Sequence, residues 1–413
     1  MRRLKIGFFI DSYFPMIDGV AMVVDHYARL MSRYADVTVF APKTGEYDFD
    51  KLPYETVLCK SLSMGHVDYR IPLANVDPGF HRALDAAQLD IVHIHSPFFI
   101  GKSGIRYAKR NGIPSVSTLH TQFHLEFQRA VHAERLTQFA VARMMRVFDD
   151  ADEVWTLNER MTDLYTDTYG GTKVPIIVRN ATDMSPLADS HQTAAVNDRY
   201  WIRPDEKVLL YVGRIDSLKN ISTSIDALSL LKKQSPHPFR MLIVGSGKDQ
   251  ATYMDKVLQM DLSDQVTFCG RITDRAFLAQ IYARADLFLL PSLFDANSLV
   301  QIEAASQSTP TLFVRGSITS ASVVDGVNGF LCENTKESLA ARVAALLNQP
   351  ALLKQVGENA HRDLYRTWEM ATDEAYDRYL HLIEAGMRHD RVPRRIPVVS
   401  TIAKRLHTVA RNQ

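Results

Sequence analysis

Two carboxylates with seven residues between them stand in the stretch from Leu287 to Pro310. An apolar run, Leu287–Leu290, predicts a buried parallel strand. Pro291 ends that strand, because proline has no N–H to give to a β-ladder. Asp295 follows in the loop, and Glu303 lies about two helical turns beyond it. The spacing therefore places one acid before a strand-to-helix turn and the other after it.

A helix is predicted to follow this turn, capped by Asn297 or Ser298 and reaching about Gln307. Free N–H groups at such an N-terminus suit a phosphate, and a strand, loop and helix are how an α/β sheet usually meets a ligand. Acids beside a phosphate need hydrogen-bond donors from another group, and sugar hydroxyls would supply them. The alternative is that Asp295 only forms the turn and Glu303 is a solvated helix residue.

A pair of cations lies on a second predicted strand-to-helix loop. Lys207–Val212 reads as a buried strand, Arg214 and Lys219 follow it, and a helix is predicted over 222–233. Two cations on such a loop can clamp a diphosphate. The alternative is that both are ordinary surface residues.

These motifs resemble the signature of the family-4 retaining glycosyltransferases of the GT-B fold. Pro291-Ser292 and Glu303 match that family's pattern, and the spacing between its two acids is kept. Asp295 replaces the first glutamate, and Ala296-Asn297-Ser298 replaces Gly-Phe-Gly. The Gly-Arg and Lys-Asn parts of the cation motif also match, with Leu218 in place of a glutamate.

The resemblance implies roles for individual residues. Arg214 and Lys219 would neutralise the leaving diphosphate, Glu303 would hold the ribose hydroxyls and Asp295 the sugar hydroxyls, with no metal or other cofactor. No enzyme nucleophile is evident, and front-face attack by the acceptor is the mechanism favoured for the family. The catalytic candidates are His120, Asp295, Arg214 and Lys219. The donor-binding candidates are Gly19, Arg214, Lys219, Gly245, Arg271, Asp295, Ala296, Asn297, Ser298, Leu299 and Glu303.

The N-terminal residues predict a βαβ unit, with strands at Leu4–Ile10 and Asp36–Phe40 around a helix at Val20–Ser32. Its first loop lacks G-x-G-x-x-G, which argues against a dinucleotide cofactor. The loop resembles the family's glycine-bearing loop over the donor phosphates, where Gly19 would let the backbone approach them. An ordinary turn glycine is the alternative. Residues 41–75 show no clear periodicity and are expected to be irregular.

Two short motifs could bind a metal but lack the context for it. His93 and His95 share one face of a predicted strand, without the further ligands that a metallo-hydrolase needs nearby. Asp48 and Asp50 form a D-x-D that follows no apolar strand. We therefore expect hydrogen-bonded histidines and a solvated acidic loop, and no metal site.

His120 follows the predicted strand Ser115–Leu119. The segments HIHSPF and GIPSVSTLHT resemble bacterial diacylglycerol glucosyltransferases in particular. That resemblance places His120 beside the donor sugar and suggests a lipid acceptor. A core or surface histidine is the alternative.

Two segments combine basic and apolar residues in a way that suits anionic lipid headgroups. One is the predicted long helix, or pair of helices, over Phe123–Phe148, and the other is the basic tail at 391–413. The alternatives are an ordinary amphipathic core helix and a loose chain end.

Composition limits the class of protein. The chain has 413 residues, of which 46% are hydrophobic and 23% charged, and its formal net charge of +1 gives no support to nucleic-acid binding. Three widely spaced cysteines fit a reducing cytoplasm. The apolar part of the N-terminus is too short for a signal peptide, and no apolar run is long enough to span a membrane. We expect a cytoplasmic protein that can lie peripherally on the inner face of the membrane.

The predicted organisation is α/β, with two doubly wound Rossmann-like domains facing a cleft. The segments are an acceptor-side domain over 1–184, a linker over 185–204, a nucleotide-sugar-binding domain over 205–366, a crossover helix over 367–390 that returns to the first domain, and the basic tail over 391–413.

The predicted activity is hexosyl transfer with retention, from a nucleotide diphosphate sugar such as UDP-glucose to a membrane lipid such as diacylglycerol. A polysaccharide or other glycan acceptor is the alternative substrate. A nucleotide-sugar-binding protein without catalysis and a metal-dependent hydrolase are alternatives of other classes.

Overall fold

The computed structural model describes residues 2–16, 18–63, 70–125, 127, 134–188, 193–293 and 295–388. Two large β-sheets with helices between their strands, and a small two-stranded sheet, make up the fold. The described residues divide into two compact units. One combines those up to Val116 with those from Tyr376 to Arg388, and the other contains those from Ser117 to Ala375. The boundaries between the units therefore fall within the strand Ser115–Thr118 and within the last helix.

The first nine strands form one seven-stranded sheet and a separate antiparallel pair. In chain order the strands are β1 (Lys5–Phe9), β2 (Asp36–Pro42), β3 (Glu55–Cys59), β4 (Ser61–Ser63), β5 (Arg70–Pro72), β6 (Ile91–Ile94), β7 (Ser115–Thr118), β8 (Glu153–Thr156) and β9 (Ile176–Ile177). The large sheet has the order β3-β2-β1-β6-β7-β8-β9, and β4 pairs with β5. Strand β1 is parallel to both of its neighbours, so the strand order reverses between β1 and β6.

The helices of this part of the chain follow the strands. They are α1 (Gly19–Met31), α2 (Pro78–Ala87), α3 (Phe99–Asn111), α4 (Glu134–Asp149) and α5 (Glu159–Asp163), with a 3-10 turn at Phe49–Lys51 and a π-helical turn at Leu164–Thr168. Asp18 caps α1 by accepting the N–H of Ala21 at 2.7 Å. A good capping residue thus starts the helix where the first loop ends.

The second sheet has six strands, and every adjacent pair is parallel. They are β10 (Lys207–Val212), β11 (Phe239–Val244), β12 (Val266–Gly270), β13 (Leu287–Leu290), β14 (Thr311–Val314) and β15 (Phe330–Cys332). Their order is β12-β11-β10-β13-β14-β15. This is the doubly wound order that reverses between the first and fourth strands, and ligands bind outside the carboxyl ends at that point.

Helices cover both faces of the second sheet. The helices of this part of the chain are α6 (Ala194–Tyr200), α7 (Ile221–Gln234), α8 (Gln250–Gln259), α9 (Arg275–Arg284), α10 (Leu299–Ser306), α11 (Lys336–Leu347), α12 (Pro350–Leu364) and α13 (Trp368–Arg388), with 3-10 turns at Ser217–Lys219 and Ile318–Ser320. Alternate residues of β10 enter two different cores: Leu209 packs with α7 and α11, and Leu210 with α9. Because side chains alternate across a strand, a continuous apolar run buries both faces.

The predicted α/β, doubly wound class is confirmed, but one local expectation is wrong. Residues 41–75 are not irregular, because they contain β3, β4, β5 and a 3-10 turn. These strands are short and only partly buried, so they lack the apolar runs that reveal β1 and β10 in the sequence. The segment predicted as a linker also contains a helix, α6.

The basic-apolar segment over Phe123–Phe148 is described in part. Its helix α4 buries Val141, Met145 and Phe148 and leaves Phe139 exposed on the other side, with Arg143 and Arg146 also exposed. The basic tail over 391–413 lies outside the described residues.

Candidate active site

The loops after β10 and β13 meet at the reversal point of the second sheet. The ammonium group of Lys219 contacts the carboxylate of Asp295, and their side chains are only 16% and 19% exposed. The two residues are 76 positions apart in sequence, so their contact is set by the parallel pairing of β10 with β13. The structure thus brings together one predicted cation and one predicted acid.

Arg214 lies on the same loop but faces solvent. Its Nε is 2.6 Å from the carboxylate of Asp216, while its side chain is 63% exposed. Asp216 is buried and also accepts the N–H of Leu218 at 3.0 Å, which fixes the turn that carries Lys219. One anchored carboxylate therefore orients Arg214 and the turn together, and the guanidinium stays accessible to an anion.

Gly245 has a steric reason to be glycine. Its φ is +136°, and a Cβ atom there would lie 1.9 Å from the carbonyl oxygen of Gly213. The N–H of Gly213 in turn donates to the Val244 carbonyl at 3.0 Å. The loops after β10 and β11 therefore pack backbone against backbone, which requires glycine at this contact.

Asn220 joins the carboxyl ends of several strands and was not singled out from the sequence. It adopts a left-handed conformation with φ of 56°, which asparagine tolerates better than most residues. Its side-chain amide donates to the Pro291 carbonyl at 3.1 Å and to Asn334 Oδ1 at 2.8 Å. The Lys-Asn dipeptide just before a helix was the available sequence signal.

Glu303 is buried and paired, so its alternative interpretation as a solvated helix residue is wrong. One carboxylate oxygen accepts the hydroxyl of Tyr282 at 2.9 Å, and the other lies 2.9 Å from the guanidinium of Arg275. Burial raises the pKa of Tyr282 well above its usual value, so the phenol stays a neutral donor. Burial alone would lower the pKa of Arg275, but the carboxylates of Glu303 and Asp183 raise it overall.

Two side-chain amides, at the ends of β7 and β8, hold in place the loop after β13 that carries Asp295, called the acidic loop below. Asn158 donates to the Ala296 carbonyl at 2.8 Å, and its own oxygen accepts the N–H of Met161 at 2.9 Å, which caps α5. Gln122 lies with its amide nitrogen 3.3 Å from the Asp295 carbonyl. Sequence reasoning missed both residues, and their only signal was a polar amide just after an apolar strand.

The helix after this loop, α10, begins at Leu299 with Ser298 at its N-cap, so the predicted start is confirmed. The Ser298 side chain makes no capping hydrogen bond. The side-chain oxygen of Asn297 is buried without a hydrogen-bond partner among the described residues. Because the first turn of a helix has spare N–H groups, this terminus can still receive an anion.

His120 follows β7 and is partly exposed. Burial lowers its pKa to about 3, so the imidazole is neutral at physiological pH. A neutral imidazole can exchange hydrogen bonds with a hydroxyl without bringing a charge. Its contact with a sugar stays a prediction.

Two other donor candidates are not on the loops after β10 and β13 that carry Lys219 and Asp295. Arg271 is exposed just after β12, two strands from β10 in the sheet. Gly19 belongs to the other unit and is the first residue of α1. No described atom lies within 4 Å of a Cβ atom built on Gly19, so the fold itself does not demand glycine there.

The two motifs considered for metal binding have ordinary partners. His93 is fully buried with Nδ1 2.5 Å from the Tyr379 hydroxyl, and its ring lies 4.0 Å from that of His95. Asp48 pairs at 2.8 Å with Lys51 on the surface. Among the residues described, no group of three or more His, Cys, Asp or Glu side chains could hold a metal ion.

No helix in the described part of the chain is both long enough and apolar enough to cross a bilayer.

Family models match most of the chain. The model described as "Glycosyltransferase Family 4" matches residues 17–184, and that described as "Glycosyl transferases group 1" matches residues 197–363. Together with the fold, these matches define a glycosyltransferase of the GT-B fold. The chain belongs to the family-4 glycosyltransferases, as its motifs predicted.

Curated relatives and solved structures agree with this assignment. The chain is 28% identical to the alpha-monoglucosyldiacylglycerol synthase of Acholeplasma laidlawii, over 86% of this chain and 92% of that protein. It is 26% identical to the glycogen synthase of Mycobacterium tuberculosis, over 82% of this chain and 78% of that protein. Sucrose-phosphate synthase (tll1590) from Thermosynechococcus elongatus has a TM-score of 0.74 at 21% identity, over 93% of this chain and 100% of that chain. Anabaena Alr3699/HepE in complex with UDP and glucose has a TM-score of 0.72 at 17% identity, over 92% of this chain and 100% of that chain.

Proposed function

We propose that this glycosyltransferase moves glucose from UDP-glucose to a membrane lipid of the diacylglycerol class, with retention of anomeric configuration. The contact of Lys219 with Asp295 at the reversal point of the second sheet carries the proposal. In this proposal Lys219 is a cation for the diphosphate and Asp295 an acid for the sugar hydroxyls. Their contact lies at the edge where doubly wound sheets bind nucleotides, which supports these roles.

Arg214 and Lys219 act on the leaving group in this proposal. The bond from the sugar C1 to the diphosphate breaks, and negative charge grows on the phosphate oxygen. A solvent-accessible guanidinium and a half-buried ammonium on one loop stabilise that charge more in the transition state than in the ground state. The acceptor oxygen attacks C1 on the face that the leaving group departs from, and its proton passes to the departing phosphate.

The acids and His120 orient the donor. Asp295 accepts hydrogen bonds from the sugar hydroxyls, and Glu303 accepts them from the ribose with the lone pairs left by Tyr282 and Arg275. Neutral His120 contacts the sugar near the reacting carbon. The donor assignment is supported by the UDP and glucose bound in the structure of Alr3699/HepE, which shares the fold.

The lipid acceptor is supported by relatives from two organisms that are both named alpha-monoglucosyldiacylglycerol synthase. Glucose in UDP-glucose is the α-anomer, so retention gives an α-linked product, which fits that name. A lipid acceptor also implies peripheral contact with the membrane. A glycan acceptor is the second candidate, because the relative named glycogen synthase matches a similar share of the chain.

A matrix of donors and acceptors tests the proposal. UDP-glucose, UDP-galactose and GDP-mannose are each incubated with diacylglycerol or with glycogen, and the products are identified by mass spectrometry and NMR. We expect glucosyl-diacylglycerol with an α linkage, and full activity in EDTA, since no metal is proposed. A Lys219→Ala variant controls for contaminating activity. Turnover on glycogen alone would replace the lipid proposal, and UDP binding without any turnover would indicate a non-catalytic protein.

A further inference from the structure

Two lysines directly follow the ends of neighbouring strands of the first sheet, away from the point where its strand order reverses. Strands β2 and β3 are parallel, with Pro42 paired to Cys59, and Lys43 and Lys60 are the next residues of each. Both lysines are exposed, and neither pairs with a carboxylate among the described residues. Because the two strands run in the same direction, their carboxyl ends lie at the same edge of the sheet, and the two cations are displayed there together.

These lysines line an open groove of about 570 Å³ within the first unit. Arg70 adds a third cation to its wall, and Glu46 is the carboxylate among its lining residues. The chain as a whole has a formal net charge of only +1. The positive charge of this groove is therefore a local feature rather than a consequence of composition.

The walls of the groove are fixed by hydrogen bonds. Arg70 donates from Nε to the Ser61 hydroxyl at 2.9 Å and from a terminal nitrogen to the Ser61 carbonyl at 3.1 Å. The Ser61 hydroxyl donates in turn to the Lys43 carbonyl. Thr44 on the same wall donates to the Phe14 carbonyl at 2.7 Å. The guanidinium of Arg70 is therefore preorganised, and a preorganised group loses less conformational entropy when it binds an anion.

The buried acid Asp77 accepts backbone hydrogen bonds beside Lys60 and forms no close ion pair with the Lys60 ammonium among the described residues. Its oxygens accept the backbone N–H of Lys60 at 2.9 Å and that of Gly79 at 3.0 Å, which caps α2. Burial would raise the pKa of Asp77, but backbone N–H donors and the positive charge of Lys60 lower it overall. Asp77 thus stays an ionised structural cap, with its oxygens used by the backbone.

The lining combines charge with an apolar side chain. Leu62 is 56% exposed at the groove, beside Lys43 and Lys60. A neutral glycan has no group that would use three cations lining one groove, whereas a phosphate has oxygens for each of them, and arginine matches its geometry. Exposed leucine beside the cations suits the glycerol and acyl part of a phospholipid.

We propose that the groove between the ends of β2 and β3 binds a phosphate group, as carried by the headgroup of an anionic phospholipid. A soluble phosphate ester offers the same chemistry and is the other source to be tested. The proposal does not depend on the identity of the sugar donor or acceptor, because binding at the groove is measured without turnover.

The experiment uses the full chain with Lys43→Gln and Lys60→Gln combined. The matched control combines Arg33→Gln and Lys233→Gln, which remove two positive charges at exposed positions outside the groove. Each protein is cosedimented with vesicles of phosphatidylcholine alone or with added phosphatidylglycerol, and titrated with sn-glycerol 3-phosphate. The basic tail is present in all of them, so its contribution is common to every comparison.

We expect the groove variant to bind phosphatidylglycerol vesicles about tenfold or more weakly than the wild type and the control, because two basic contacts with an anionic surface are lost. Loss of glycerol 3-phosphate binding with unchanged vesicle binding would assign the groove to a soluble phosphate ester. If the groove variant matches the control in both assays, the groove is not a phosphate site. UDP affinity and melting temperature, measured in parallel, should not change, which separates this test from the proposed function.

Discussion

The two sheets reverse their strand order in the same way, but the described residues at the two reversal points are arranged differently. In the first sheet, between β1 and β6, the carboxylate of Asp11 is buried and consumed by internal donors. It accepts the Ser96 hydroxyl at 2.6 Å and the N–H groups of Ile100 at 2.8 Å and Gly101 at 3.3 Å. That carboxylate therefore joins the end of β1 to the start of α3.

At the reversal point of the second sheet, between β10 and β13, the charged side chains are not fully enclosed by internal partners. Lys219 and Asp295 contact each other but keep part of their surface exposed, and Arg214 is mostly exposed on the same loop. The two sheets share a topology that can form a ligand site at the reversal point. The residues at the strand ends determine whether the polar groups there are buried in internal hydrogen bonds or accessible to a ligand. Substitutions at the two positions should accordingly separate activity from stability.

The largest effect is expected from Arg214→Ala and Lys219→Ala. Each removes a charge that stabilises the leaving diphosphate, so kcat/KM should fall by about 10²-fold or more. Steady-state kinetics with UDP-glucose measures this. Lys256→Ala is the matched control, because it breaks a pair with Asp226 in the same unit, at 2.7 Å. Near wild-type turnover in both site variants would remove these residues from the active site.

Asn158→Asp should disturb the acidic loop while leaving the fold in place. Aspartate still accepts the N–H of Met161 as a helix cap, but it loses the donor to the Ala296 carbonyl and puts a carboxylate against it. We expect kcat to fall by about tenfold, as for the loss of a positioning contact, with a smaller change in melting temperature. If kcat is unchanged, the loop does not depend on Asn158.

Glu303→Gln should weaken nucleotide binding. Glutamine keeps the shape of the side chain but removes the charge opposite Arg275 and the strongest acceptor for ribose hydroxyls. Calorimetric titration with UDP should show an affinity lower by about fivefold to tenfold. Arg275→Lys distinguishes the two causes, since it retains the charge opposite Glu303; a similar loss there would point to the structural pair rather than to a ribose contact.

Asp11→Asn tests the sealed reversal point and should leave UDP affinity unchanged. The amide cannot accept all the hydrogen bonds that the carboxylate accepts, so buried N–H groups lose a partner at a cost of about 1–3 kcal/mol of unfolding free energy. Chemical denaturation measures the loss. Unchanged stability combined with weaker UDP binding would mean that this reversal point also serves the ligand.

Buried elements could be predicted from the sequence, whereas half-buried strands and contacts between residues far apart in the chain could not. Lys207–Val212 was found with its observed bounds, because a buried parallel strand is an unbroken apolar run. Helix α10 was located from its capping residues and periodicity. The half-buried strands β3, β4 and β5 lack both signals and were missed.

The charged partners inside the site were harder to predict. The acid and cation motifs could be named, but nothing local shows that Lys219 turns towards Asp295 while Arg214 turns towards Asp216. The contact of Asn158 with Ala296 spans 138 positions, and Glu303 meets Tyr282 and Arg275 through the packing of α9 on α10. Such contacts depend on the assembled sheet rather than on spacing along the chain.

Gly245 and Gly19 should tolerate substitution to different degrees. Two separate selections, one for soluble expression and one for sugar transfer, are needed to see why. A side chain at position 245 would collide with the Gly213 carbonyl, so a saturation library should lose every substitution of Gly245 when it is selected only for soluble expression. Gly19 has open space where its Cβ atom would lie, so that library should retain alanine and serine there. If a second selection for sugar transfer then depletes the same alanine and serine, the space beside Gly19 belongs to the substrate. Comparing the two selections position by position would map ligand volume without a bound structure.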